Sequence, residues 1–143
     1  MSQIKKRILL VDDERDAGFT IKVVLEKYGF KVDFYTEPLK ALNDFKPHLY
    51  DVLILDIKMP EINGFELYNK FKSKDESIKT IFLTALSSVE PYNTQPSQVY
   101  PKMGERHFVK KPVSNQELLE QVYTITNWVF VKTVYFQKKS KIR

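Results

Sequence analysis

The chain has 143 residues, 43% of them apolar and 13% aromatic, which suits one folded domain with a real core and excludes a disordered chain. It has no cysteine and two histidines, His48 and His107, which excludes a disulfide scaffold, a cysteine zinc site, an iron–sulfur cluster, a thiol nucleophile and a His-rich metal centre. The net charge of +5 is that of Lys132, Lys138, Lys139, Lys141 and Arg143 alone; residues 1–131 carry 18 basic against 18 acidic residues and so lack the footprint of a nucleic-acid groove.

Arg7-Ile8-Leu9-Leu10-Val11 is a short, continuous apolar run, the pattern of a strand buried on both faces, and it stops at Asp12-Asp13-Glu14. From Glu14 to Tyr28, Ala17, Ile21, Val24, Leu25 and Tyr28 follow helical spacing, and Gly29 supplies the stop. Lys31 to Tyr35 reads as a second strand. Thr36 is placed to cap the next helix, with Glu37 and Pro38 in its first turn and Leu39, Leu42 and Phe45 on one face. Tyr50 to Leu55 is a third strand, ending at Asp56. Met59 to Gly64 is turn chemistry, and Phe65 to Lys72 is helical.

Thr80 to Leu83 is a fourth strand, ending at Thr84, and Arg106 to Lys110 a fifth, ending at Lys111-Pro112. Ser114 and Glu117 have the spacing of a capping box, and Leu118, Leu119, Val122 and Ile125 line the helix behind it. Strands alternating with helices predict right-handed crossovers and a single doubly wound α/β domain with a five-stranded parallel sheet. Residues 1–131 are taken as that domain and 132–143 as a basic tail. The length leaves no room for a conventional second domain, such as a DNA-binding one. No run approaches the ~18–20 apolar residues of a membrane span, and no signal peptide opens the chain, so a cytoplasmic location is expected.

In open parallel sheets the ligand site lies beyond the C-terminal strand ends. Asp12 and Asp13, Asp56, Thr84 and Lys111 all occupy such ends. Three converging carboxylates need a cation, and an oxygen-only donor set suits Mg²⁺. A lysine and a hydroxyl beside that metal could hold an anion, which is what phosphoryl transfer to a lone aspartate requires.

Singly, these groups have ordinary explanations. Asp12 and Asp13 could cap the first helix, Asp56 and Thr84 could be turn residues, Phe108 could be core, and Lys110 could stand in for Lys111. Together, Ile8 to Glu14, Leu53 to Pro60 with Asn63-Gly64, Phe82 to Ala85, and Phe108 to Pro112 resemble the receiver domain of two-component response regulators, over roughly residues 6–130.

The resemblance implies a flavodoxin-like, CheY-like sheet of order 2-1-3-4-5. It implies that Asp56 is the phosphoacceptor and takes a phosphoryl group from a sensor histidine kinase or phosphotransfer protein. Asp13, Asp56 and the Lys58 backbone carbonyl would ligate Mg²⁺ directly, with Asp12 acting through water. Lys111 would pair with the phosphoryl oxygens, and Thr84 and the Ala85 N–H would hydrogen-bond them. Phe108 would be the aromatic switch residue, and the Lys111–Pro112 bond would be cis. The protein would be a stand-alone signalling phosphoacceptor, not an enzyme beyond its own phosphorylation and slow dephosphorylation. Its output would be contact with a downstream protein, or phosphorelay. The alternatives are a degenerate receiver-like binding module that takes no phosphate, and a Mg²⁺-dependent phosphatase. The latter lacks the acid expected two residues after Asp56, where Lys58 stands.

Two stretches depart from the family pattern. Leu86 to Lys102 contains Pro91, Pro96 and Pro101, so the family's fourth helix is expected to be degraded to a Pro-rich loop. The apolar residues Trp128 to Val131 and Val134 to Phe136 run past the usual last helix. They are taken as a longer helix with a solvated tail; homodimerisation and contact with an anionic membrane surface are the alternatives.

Overall fold

The structure, a computed structural model, describes residues 6–85 and 108–126. Five strands, β1 (Arg7–Val11), β2 (Lys31–Tyr35), β3 (Val52–Asp56), β4 (Lys79–Thr84) and β5 (Phe108–Lys110), form one sheet of order β2-β1-β3-β4-β5. Every pairing is parallel, with Leu9 opposite Leu53 and Asp56 opposite Leu83. The helices among the described residues are α1 (Arg15–Lys27), α2 (Pro38–Asp44), α3 (Gly64–Lys74) and α4 (Asn115–Thr126). This is the doubly wound, receiver-like sheet that the alternating pattern and the resemblance predict.

The interior strands β1 and β3 read as apolar runs because both faces are covered, whereas the edge strand β2 carries an exposed Lys31 and a half-buried Asp33. Side chains alternate across the sheet, so each run feeds two cores. Ile8, Leu10, Ile54, Ile81, Leu83 and Val109 pack on one face against Ile21 and Leu25 of α1 and Leu118, Leu119, Val122 and Tyr123 of α4. Leu9, Val11, Leu53, Leu55 and Phe82 pack on the other against Ala41 and Phe45 and against Leu67 and Phe71 of α3. Residues 8–11 and 52–55 are fully buried. Truncating any one of these leucines to alanine costs about 2–5 kcal/mol.

Local signals set most of the boundaries. Gly29, at φ 97°, ends α1. Its N–H donates to Glu26 O and the Phe30 N–H to Leu25 O, both at 3.1 Å, a Schellman closure that leaves Leu25 and Phe30 in one core. Ser114 Oγ accepts from the Glu117 N–H at 3.0 Å at the start of α4. At α3 the Asn63 side chain accepts from the Glu66 N–H at 2.9 Å and Glu66 reaches back to the Asn63 N–H, a full capping box that a turn reading of 59–64 overlooks.

Two expectations need correction. Thr36 does not cap α2: the N-cap is Glu37, without a side-chain cap bond, and Pro38 opens the helix. Nor does Leu39 face the core; it is 48% exposed. A helix that starts at Pro38 turns Pro38 and Ala41 inward, at i and i+3, and Leu39 falls off that stripe; Phe45, the extended C-cap, is buried just beyond it. The third strand also starts later than expected. Tyr50 leaves the sheet, its hydroxyl donating to Asp33 Oδ2 at 2.6 Å, and the Asp51 N–H donates to Arg7 O. The Pro-rich segment 86–102, Arg106 and His107, and everything after Thr126, the tail included, lie outside the described residues.

Candidate functional site

The site is built on strand ends. Asp12 follows β1, Asp56 and Thr84 are the last residues of β3 and β4, and Lys111 follows β5. Main-chain bonds hold those ends in register. The Asp12 N–H donates to Tyr35 O at 3.1 Å, the Ile57 N–H to Leu83 O at 3.0 Å, and the Lys111 N–H to Thr84 O at 2.7 Å. The Lys111–Pro112 bond is cis, as the resemblance implies. Gly64, the first residue of α3, donates its N–H to Ile57 O at 2.7 Å. A Cβ on Gly64 would lie 2.5 Å from Asp56 O and 2.9 Å from Ile57 Cα, so only glycine lets the helix come this close to the aspartate's backbone.

Carboxylate oxygens of Asp12, Asp13 and Asp56 lie within 4.8 Å of one another. Asp12 is fully buried and Asp56 is 4% exposed. Lys111 Nζ reaches into this cluster, 3.0 Å from Asp12 Oδ2 and 3.4 Å from Asp56 Oδ2. Lys110 is exposed, so geometry selects Lys111 over its neighbour. The same ammonium lies 3.0 Å from Glu14 Oε1. Glu14 is not among the site residues expected from the sequence; the local sign of it is its place directly after the Asp pair.

The electrostatics follow from crowding. Burial pushes the Asp56 carboxyl up to about 7; the charges of Asp12 and Asp13 push the same way, and Lys111 opposes them. Burial alone would lower Lys111, but Glu14 and Asp12, with Asp56, outweigh it and hold the ammonium above the ordinary lysine range. Among the described residues one lysine serves three carboxylates.

The donor set fits a hard divalent cation. All its atoms are oxygens. Asp12 Oδ1 is committed to the Glu14 N–H at 2.9 Å, and among the described residues buried Asp12 Oδ2 has only its 3.0 Å ion pair with Lys111. A buried carboxylate oxygen held only by an ammonium, in a cluster of three carboxylates, is one that an oxygen-seeking cation can take over.

The remaining candidates stand around this cluster. Thr84 is buried at 5% exposure at the end of β4, beside Asp56 in the strand order. Ala85 and Lys58 are exposed on the loops beyond β4 and β3. Phe108 is half-buried and stacks on Phe82, with centroids 5.4 Å apart. Phe82 in turn meets Phe65 and Tyr68 of α3, each at 5.5 Å.

Comparison with known proteins identifies the family. The family described as "Response regulator receiver domain" matches residues 8–123. Among characterised proteins the chain is similar to the response regulator SaeR of Staphylococcus aureus, 32% identical over 116 residues, covering 80% of this chain and 48% of SaeR. It is also similar to the transcriptional regulatory protein CreB of Escherichia coli, 29% identical over 121 residues, covering 85% of this chain and 51% of CreB. The chain therefore spans about half the length of these relatives.

Among solved structures, the non-phosphorylated HemR receiver domain of Leptospira biflexa superposes with a TM-score of 0.72 at 29% identity, covering 85% of this chain and 94% of that one. A CheY-like receiver domain protein of Methanospirillum hungatei gives 0.71 at 25% identity, covering 87% and 95%. With the strand order, the acidic cluster and the lysine after β5 all in place, the chain belongs to the response regulator receiver domains of two-component signal transduction.

Proposed function

We propose that Asp56 accepts a phosphoryl group from the phosphohistidine of a sensor kinase or phosphotransfer protein, in a Mg²⁺-dependent reaction. The observation that carries this reading is the placement of one buried lysine against a cluster of three carboxylates: Lys111 Nζ is 3.4 Å from Asp56 Oδ2 and the cluster spans 4.8 Å. An Asp56 oxygen attacks phosphorus in line. The new P–O bond forms as the P–N bond breaks, the electron pair leaves with the imidazole nitrogen, and the product is an acyl phosphate. Asp12, Asp13 and Asp56, with the Lys58 backbone carbonyl, would hold the cation. Bound there, it would supply charge neutralisation for the aspartates and the incoming phosphoryl oxygens.

The chain's own groups do the rest. Lys111 pairs with the phosphoryl oxygens from the side of β5, and its buried stem keeps the ammonium from drifting into solvent. Thr84 hydrogen-bonds the phosphoryl group from the end of β4, aided by the Ala85 N–H. Phe108 responds through its stack on Phe82. The output is protein–protein contact or onward transfer of the phosphoryl group. No helix among the described residues is long and apolar enough to cross a membrane. A cytoplasmic location is part of the proposal.

The phosphodonor docks on α1. That helix begins at Arg15, directly after the Asp pair and Glu14, and it presents Phe19 and Val23, 57% and 47% exposed, one turn apart. Large exposed apolar side chains beside the mouth of a charged site suit a partner that must bring a histidine to Asp56. The test is incubation with Mg²⁺ and acetyl phosphate. An acid- and base-labile adduct mapped to Asp56 by mass spectrometry, absent from Asp56→Asn, is the expected result. An adduct on another residue, or none, overturns the assignment.

A further inference from the structure

Lys111 has more carboxylates than it needs. Its ammonium lies 3.0 Å from Asp12, 3.0 Å from Glu14 and 3.4 Å from Asp56. Exposure of these side chains rises steeply across the set, from 0% at Asp12 and 6% at Asp56, through 11% at Lys111, to 67% at Glu14. Glu14 is thus the outermost of the three acids, at the mouth, and the aspartates are the inner pair. Glu14 also sits at the N-cap of α1 and yet makes no side-chain capping bond. Its backbone is pinned, with its N–H on Asp12 Oδ1 at 2.9 Å, and its side chain instead spans a sequence separation of 97 to the lysine. An ion pair with so exposed a partner adds little to stability, so fold stability does not explain it.

We propose that Glu14 is a positioning residue for Lys111: its carboxylate shares the ammonium with Asp12, each at 3.0 Å, and holds it at the mouth when a divalent cation takes the inner aspartates. The reasoning rests on the phosphoacceptor reading of the same site. The inner carboxylates are the cluster that fits a cation, and Glu14 is not among them. A lysine that settled fully on Asp12 and Asp56 would occupy the space and charge the cation needs. A cation bound there repels the ammonium, and Glu14 is the carboxylate that can still hold it. That resting place is also at the mouth, where a phosphoryl group on Asp56 would present its oxygens. Glu14 acts only through Lys111 and touches no reacting atom.

The experiment is a double-mutant cycle on Mg²⁺ affinity, measured by calorimetry on unphosphorylated protein. Glu14→Gln is expected to weaken Mg²⁺ binding fivefold or more when Lys111 is present, and less than twofold in a Lys111→Met background. Glu14→Asp, which keeps the charge, is expected to stay within twofold of wild type. Thermal unfolding of all variants in EDTA checks that each is folded. Equal weakening in both backgrounds means that Glu14 acts only as a nearby charge, and it overturns the proposal. So does a Glu14→Gln protein that binds Mg²⁺ as wild type does, or a Glu14→Asp protein as weak as Glu14→Gln. The cycle needs no phosphodonor: failure of Asp56 to accept phosphate would refute the proposed function, whereas an uncoupled cycle refutes this inference alone.

Discussion

Asp56→Asn removes one charge from a crowded site and changes little else in shape. In the folded, cation-free protein, burial pushes this carboxyl from 3.8 up to about 7, helped by Asp12 and Asp13 and opposed by Lys111. At 1.36 kcal/mol per pH unit that difference corresponds to at most about 4 kcal/mol. Loss of the 3.4 Å contact with Lys111 offsets part of it, since that lysine keeps Asp12 and Glu14. A net gain of about 2 kcal/mol at pH 8 is expected, or roughly 6 °C in melting temperature. The sign follows from linkage. A carboxyl raised in the folded state favours folding while it is protonated. That contribution is complete below pH 3.8 and is lost as the pH rises through about 7.

Thermal melts in EDTA from pH 5 to 8 should therefore show wild type losing stability with rising pH, and the Asp56→Asn protein following a flatter line above it. Adding Mg²⁺ should raise wild type more than the variant, because the ion relieves the same repulsion and binds the variant less tightly. If wild type in EDTA at pH 8 melts above Asp56→Asn, the three carboxylates do not repel one another across a shared site and the reasoning fails.

Phe19→Asp or Val23→Asp on α1 should cut phosphoryl transfer from the cognate kinase tenfold or more and leave labelling by acetyl phosphate unchanged; equal loss with both donors would show that α1 is not the docking face. Gly64→Ala forces a Cβ to within 2.5 Å of Asp56 O, and should cost about 1–3 kcal/mol in urea unfolding and slow phosphorylation of Asp56; a variant with wild-type stability and rate would refute the close approach. Neither Lys58, exposed two residues after Asp56, nor Leu86, which lies outside the described residues, can act as a base toward water attacking the phosphoryl group. Lys58→Asn with Leu86→Glu should speed loss of phosphate tenfold or more, about 1.4 kcal/mol off the barrier, and a double variant that decays at the wild-type rate would remove these residues from the water's path.

The sheet and most of the site were legible in the sequence, because what defines them is local. A strand buried on both faces reads as an apolar run, as 8–11 of β1 and 52–55 of β3 do, and the polar residue that ends each marks the ligand edge; β2, at the edge of the sheet, carries Lys31 and Asp33 and shows no such run. Asp12, Asp13, Asp56, Thr84 and Lys111 stand at or just after such strand ends, and the crossover rule brings those ends to one edge. The Asn63–Glu66 capping box was equally local, present in the spacing and hidden by the turn residues before it.

Where several faces compete, local pattern ran out. Leu39 and Phe45 both satisfy helical spacing, and only the tertiary structure decides that Leu39 on α2 is exposed while Phe45, the extended residue that caps the helix, is buried. Lys110 and Lys111 are neighbours with the same chemistry; the chain direction after β5 turns one to solvent and the other onto Asp12 and Asp56. Glu14 and Lys111 are 97 residues apart, and no periodicity encodes a pair that exists only because the ends of β1 and β5 open onto one edge. The raised pKa of Asp56 is likewise a tertiary property. Its cause is burial among charges brought by other strands, and a sequence carries the charges but not the distances between them.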